Sequence, residues 1–202
     1  MTDADEDGSD WRSGWQAMVD RVGEDFSDGR SRYGPDLIDV GAVRRYVEPL
    51  EWDCPLHYDE QMAADSGYAG LIAPYTSVLT FTTPAMWAPG KDPIFVVDGA
   101  DAQPARSPID VPRRGPAPRT TGYFATDLEI EFVRPPHVGE RLGRRGNRLL
   151  ACVPKETGVG RGAFNTWESE VVDEQGEVVA RIRTQTYSYN PKPGRRAGED
   201  QS

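Results

Sequence analysis

The sequence predicts a single α+β domain in which helices come first and antiparallel strands follow. Three observations carry this. Short stretches with apolar residues at helical spacing fill residues 11 to 66. Alternating apolar and polar positions dominate residues 123 to 189, and one apolar run at 73–87 stands between the two regions. The chain has 202 residues, 37% of them hydrophobic, which suits one domain with its own core flanked by polar tails.

Residues 1–10 (MTDADEDGSD) and 191–202 (PKPGRRAGEDQS) are polar and charged and read as flexible tails around a domain at 11–190. In WRSGWQAMVDRVGEDF, Trp11, Trp15, Met18 and Val22 fall on one side of a short helix. Asp39 is placed to cap a second helix, with Val43, Tyr46, Val47 and Leu50 at helical spacing until Pro49 and Pro55 end it. A third is expected at DEQMAADSG, stopped by Gly67. The run APYTSVLTFTTPAMW reads as a strand by its β-branched residues and as a buried helix by its length; periodicity does not separate the two. Residues 88–122, rich in Pro, Gly and Asp, form a long insertion of the kind usually tied to function or disorder. Beyond it YFATDLEIEFVRPP alternates through Phe124, Leu128, Ile130 and Phe132, and GNRLLACVPKE is a further strand. The clearest signal is a hairpin across DEQG, where Phe164, Thr166, Glu168, Glu170 and Val172 oppose a run from Val178 to Tyr189.

Composition removes several function classes. A formal charge of -10 and a pI near 4.7 argue against a nucleic-acid-binding surface, which needs a basic stripe. Two cysteines, Cys54 and Cys152, are too few for a disulfide scaffold, and no Cys/His cluster has metal-ligand spacing. No apolar run approaches the roughly 20 residues of a membrane span, and the N-terminus lacks the features of a signal peptide. The expected location is the cytoplasm, with reduced thiols. Ser77 lacks the glycines of a nucleophile elbow. GVGRG at 158–162 lies between strands and reads as a turn, and His137 in RPPHVGE as an exposed loop residue.

Chemistry concentrates at WDCPLHYDE and the Glu51 before it, which place Glu51, Asp53, His57, Asp59 and Glu60 within ten residues around the kink at Pro55. By residue type this is either a general acid/base pair or a hydrogen-bonded histidine among solvated carboxylates. The run CPLHYDEQMAADSGYAGLIAP, followed by the apolar segment and by FVRPPHVGERL, resembles the MaoC-like hot-dog family of R-specific enoyl-CoA hydratases and 3-hydroxyacyl-thioester dehydratases. The likeness is greatest to its fatty-acid-synthase-like dehydratase N-terminal branch, and spans residues 36 to 190. Pro55, Leu56 and His57 match the end of the family signature, whose asparagine falls on Cys54 and whose catalytic aspartate falls on Trp52, between the acids Glu51 and Asp53.

The resemblance implies a hot-dog fold: a curved antiparallel sheet of five or six strands wrapped round a central helix at 75–87, with extra N-terminal helices. The insertion at 88–122 would overhang the acyl pocket. It further implies His57 and Asp53 as the acid/base pair and the Tyr75 backbone N–H as a donor to the thioester oxygen, with no metal or redox cofactor. The substrate would be an acyl thioester of CoA or a carrier protein. Partnership follows too: a homodimer or a heteromer with a second hot-dog chain, no nucleic acid and no membrane. Two roles stay open, a catalytic hydratase or a non-catalytic subunit that forms the acyl pocket for a partner bearing the dyad. RRGPAPR at 113–119 reads either as a contact for CoA phosphates or as a solvated loop.

Overall fold

The computed structural model describes residues 11–96, Gly99 and 115–191. Both predicted tails (apart from Pro191) and much of the 88–122 insertion lie outside the described residues, including Arg113 and Arg114 of the basic stretch. Five strands form one antiparallel sheet in the order β1 (Arg32–Tyr33), β3 (Gly143–Glu156), β4 (Gly160–Val172), β5 (Val178–Pro191) and β2 (Gly122–Phe132). The sheet is curled, as expected of a hot-dog domain. Register follows the alternation of the sequence. Trp167, Ser169 and Val171 of β4 face inward beside Ile182 and Thr184 of β5, while Glu168 and Glu170 face outward beside Arg181 and Arg183. The chain closes the β4–β5 hairpin with Gly176 at φ 84°, a left-handed position that glycine adopts without a Cβ penalty.

Two elements depart from the sequence reading. A bulge between Ala125 and Asp127 inserts one residue into β2, so Phe124 lies on the outer face and Leu128, Ile130 and Phe132 on the inner one. The strand therefore does not run all four through a single face. The central helix is also shorter than 75–87: a 3₁₀ turn at Tyr75–Ser77 leads into α4 (Val78–Phe81), where helix ends. The reason is local. The Thr82 hydroxyl donates to the carbonyls of Val78 and Leu79 and the Thr83 hydroxyl to that of Leu79, while Pro84 follows, lacking an N–H. Gly34 has no Cβ to hold off the Phe81 carbonyl, so the helix end seats directly on the chain leaving β1.

Two apolar clusters occupy the inner face. One joins Ala73 and Val78 to Leu142, Val171, Val179, Ala180 and Ile182, with Ile38 and, from α2 (Val40–Val47), Val43. The other packs Trp15 and Met18, from a 3₁₀ turn and α1 (Gln16–Val19), on Leu149, Cys152, Ala163 and Trp167. Asp39 caps α2 by accepting from the Ala42 N–H, and Val43 and Val47 are its buried stripe. Val22, beyond the end of α1, and Leu50, in the 3₁₀ turn Glu48–Leu50 that follows α2, are exposed. Among the described residues no helix is long and apolar enough to cross a membrane.

Candidate active site

Cys54, preceding Pro55, is held extended, as a residue before proline must be, and Pro55–His57 then forms a 3₁₀ turn. This turn drives His57 inward, where it is buried. Its Nδ1 lies 2.8 Å from the Ile72 carbonyl. A carbonyl only accepts, so Nδ1 carries the proton and, in the neutral ring, Nε2 is the nitrogen with a lone pair. The Ile72 N–H in turn donates to the Leu56 carbonyl, closing a two-way clasp between PLH and GLIAP.

That second segment is itself braced. Ile72 bridges to His137, with the Ala73 N–H donating to the Pro136 carbonyl and the Val138 N–H to that of Leu71. His137 is therefore not the exposed loop histidine expected. It is half-buried, beside the Tyr68 ring and 3.5 Å from a Glu140 carboxylate oxygen. The loop is anchored by Arg134, which reaches Glu140 at 2.9 Å and Asp173 at 2.6 Å. Burial works to lower the Arg134 pKa, but Glu140 and then Asp173 hold it above its ordinary value.

The predicted acids are arranged less favourably. Asp59 caps α3 (Glu60–Asp65) by accepting from the Gln61 and Met62 N–H groups, so its carboxylate is committed. Asp53 and Glu51 are exposed, Glu51 in a left-handed conformation at φ 52°. Among the described residues no carboxylate oxygen lies within 4.0 Å of a His57 nitrogen. The neighbour of His57 is instead Trp52, its ring 6.3 Å away and tilted by 31°. Two residues past Ile72, Pro74 ends the braced segment, and Tyr75 opens the turn into α4. The Tyr75 and Thr76 N–H groups have no hydrogen-bond partner among the described residues, as first-turn donors do not within their own helix. The Tyr75 ring packs edge-on to Phe132 and the Tyr46 hydroxyl donates to Thr76 Oγ1, fixing the turn. The Ile72 carbonyl is the partner that sequence reasoning missed; a backbone acceptor fifteen residues away leaves no residue-type signal. No group of three or more His, Cys, Asp or Glu is placed to hold a metal ion among the described residues.

The two thiols differ sharply in setting. Cys152 is buried and its pKa is pushed up to about 11 from 9.0 by burial, whereas Cys54 is half-exposed beside the His57 turn. Iodoacetamide at pH 8 is expected to modify Cys54 and spare Cys152, as read by peptide mass spectrometry. Equal modification would contradict the buried placement. Since the unfolded thiol ionises first, the stability Cys152 contributes is complete below pH 9.0 and falls as pH rises toward about 11.

Comparison with known proteins agrees with this architecture. A family model described as "FAS1-like, dehydratase domain region" matches residues 22–182. A probable enoyl-CoA hydratase alpha subunit of Thermomonospora curvata is 28% identical over 185 residues, covering 92% of this chain and 54% of that protein. The chain thus spans about half the length of this curated relative. Among solved structures, the ChsH1–ChsH2 complex of Mycobacterium tuberculosis superposes with a TM-score of 0.59 at 18% identity, over 89% of this chain and 96% of the other. A MaoC-like dehydratase from Rhodospirillum rubrum gives 0.53 at 20% identity, over 85% and 94%. These likenesses bear out the MaoC-like hot-dog fold read from CPLH, GLIAP and RPPHVGE.

Proposed function

We propose that this chain, which belongs to the FAS1-like dehydratase domain region family, is a hydro-lyase subunit acting on acyl thioesters. It adds water to C3 of a trans-2-enoyl thioester, or in reverse dehydrates a 3-hydroxyacyl thioester. The observation that carries the reading is His57: its Nδ1–H is tied to Ile72, its Nε2 keeps the lone pair, and the open N–H groups of Tyr75 and Thr76 follow on the same segment.

In the hydration direction His57 Nε2 takes one proton of a water molecule while the water oxygen bonds to C3. The C2=C3 electron pair moves toward the thioester carbonyl, whose oxygen gains charge, and C2 then receives the proton that His57 Nε2 took, which returns the ring to its neutral form. The Tyr75 N–H is the donor proposed for that oxygen. Asp53 is the acid proposed to hold the water with His57, which requires the exposed segment 51–53 to turn its carboxylate inward.

One observation favours a second reading. Trp52 occupies the place of the family's aspartate, and no carboxylate stands by His57 among the described residues. On that reading the chain forms the acyl pocket and a partner hot-dog chain carries the dyad, in keeping with a relative named as an alpha subunit and a neighbour solved as a two-protein complex. Hydration of crotonyl-CoA, followed by loss of absorbance of the conjugated thioester, tests both. Turnover by the purified chain alone supports the first. Turnover only after co-expression with a hot-dog chain that has an intact Asp and His motif supports the second.

A further inference from the structure

The outer face of the sheet is banded in rows that run across the strands. Arg145, Glu170, Arg181 and Glu131 stand side by side on β3, β4, β5 and β2, and so do Arg148, Glu168, Arg183 and Glu129. Charges alternate along each row, and neighbours touch: Arg145 to Glu170 at 2.7 Å, Arg181 to Glu131 at 3.1 Å and to Glu170 at 3.8 Å. Arg183 bridges Glu168 at 2.9 Å and Glu129 at 3.3 Å. Across a sheet, opposite charges facing each other are favourable and like charges unfavourable.

Both rows end on β2, the edge strand, in an acid with one cationic neighbour instead of two among the described residues. Glu131 and Glu129 keep 53% and 62% of their side-chain surface exposed. Asp127 extends the acidic line on the same face, opposite Gln185. Below the bulge the band becomes aromatic, with Phe164, Tyr187 and Phe124 in one row. Leu128 and Phe132, on the inner face of the same strand, are exposed as well. An edge strand of 11 residues that pairs on one side only among the described residues, and that carries apolar side chains, is a surface that invites another strand.

Resting on the reading above that a second hot-dog chain is the partner, we infer that β2 selects a different chain over a second copy of this one. The strand it takes carries Arg or Lys on its outer face opposite Glu131 and Glu129, and an apolar residue opposite Phe124. A second copy fails on charge. The sequence of β2, GYFATDLEIEF, holds three acids and no base, so in no antiparallel register does it supply a cation to its mate. In the register of greatest overlap Asp127 faces its own symmetry equivalent, with Glu129 across the diagonal.

The test uses the full chain and a variant carrying Asp127→Lys, Glu129→Lys and Glu131→Lys as the complementary strand. In sedimentation at 50 mM NaCl, each protein alone is expected to show no pairing through β2. Their mixture is expected to form a 1:1 pair, weakened at least 10-fold at 500 mM NaCl, with β2 amides gaining protection from hydrogen exchange only in the mixture. A wild-type homodimer with protected β2 amides overturns the inference, and so does a mixture that stays unpaired. If circular dichroism shows the lysine variant unfolded, Asp127→Asn/Glu129→Gln/Glu131→Gln replaces it. That variant is expected to self-associate through β2 where wild type does not, and its failure to do so overturns the inference equally. Crotonyl-CoA hydration is read separately, so loss of the hydratase reading leaves a distinct signature.

Discussion

His57→Asn lowers crotonyl-CoA hydration by about 10²-fold or more while leaving the folded structure in place. The choice of asparagine follows from the geometry. Its side-chain NH₂ sits as far from the backbone as histidine Nδ1, so it can still donate to the Ile72 carbonyl, but nothing remains at the position of Nε2. His57→Ala removes both, and leaves a buried carbonyl without its donor at about 1–3 kcal/mol. A merely structural histidine gives the opposite order: alanine damaging, asparagine close to wild type in both stability and rate. The measurement is kcat and KM on crotonyl-CoA beside a thermal melt for each variant, in whichever assembly is active. Should asparagine retain full turnover in that assembly, the pocket-forming reading stands and the dyad belongs to the partner chain.

How much of this was legible in the sequence depends on the range of the physics involved. Local signals read well. Asp39 and Asp59 cap the helices placed at them, Gly67 turns left-handed where a stop was expected, and the hairpin across DEQG pairs as its alternation required. The apolar run at 73–87 was harder, since helix length there is decided by three hydroxyl and ring effects at Thr82, Thr83 and Pro84 rather than by hydropathy. The bulge in β2 was invisible for a related reason. Inserting one residue moves every following side chain to the other face, and no residue type marks the spot at Ala125–Asp127. At the site, CPLH gave the histidine and its turn, but the clasp to Ile72 and the brace from the RPPHVGE loop are backbone pairings between distant segments. The two-residue strand β1 carries too little alternation to be seen at all.

The same brace makes Arg134 the most consequential residue away from the site. Arg134→Met is expected to cost about 3–5 kcal/mol of stability, because it strands Asp173, whose side chain is 6% exposed, without its cation. Asp173 meanwhile accepts from the Gln175 and Glu177 N–H groups at the β4–β5 turn, and Glu140 accepts from the His137 N–H. Arg134 therefore ties that turn to the loop on which the Ile72 segment, and through it His57, is hung. For a chain of this size each kcal/mol moves the melting midpoint by about 2–4 °C, so a drop on the order of 10 °C should be read in a thermal scan. Arg21→Met is the control. Its pair with Glu24 is about half exposed on both sides and is worth at most about 0.5 kcal/mol. Pairing Arg134→Met with Asp173→Asn should recover part of the loss, since the amide keeps an acceptor for the turn and removes the stranded charge. The Arg134 pKa is raised, so its stabilisation is already complete below the ordinary arginine range and the deficit should be flat through neutral pH. A deficit under 1 kcal/mol would mean that the RPPHVGE loop is held by its backbone pairing to Leu71–Ala73 alone.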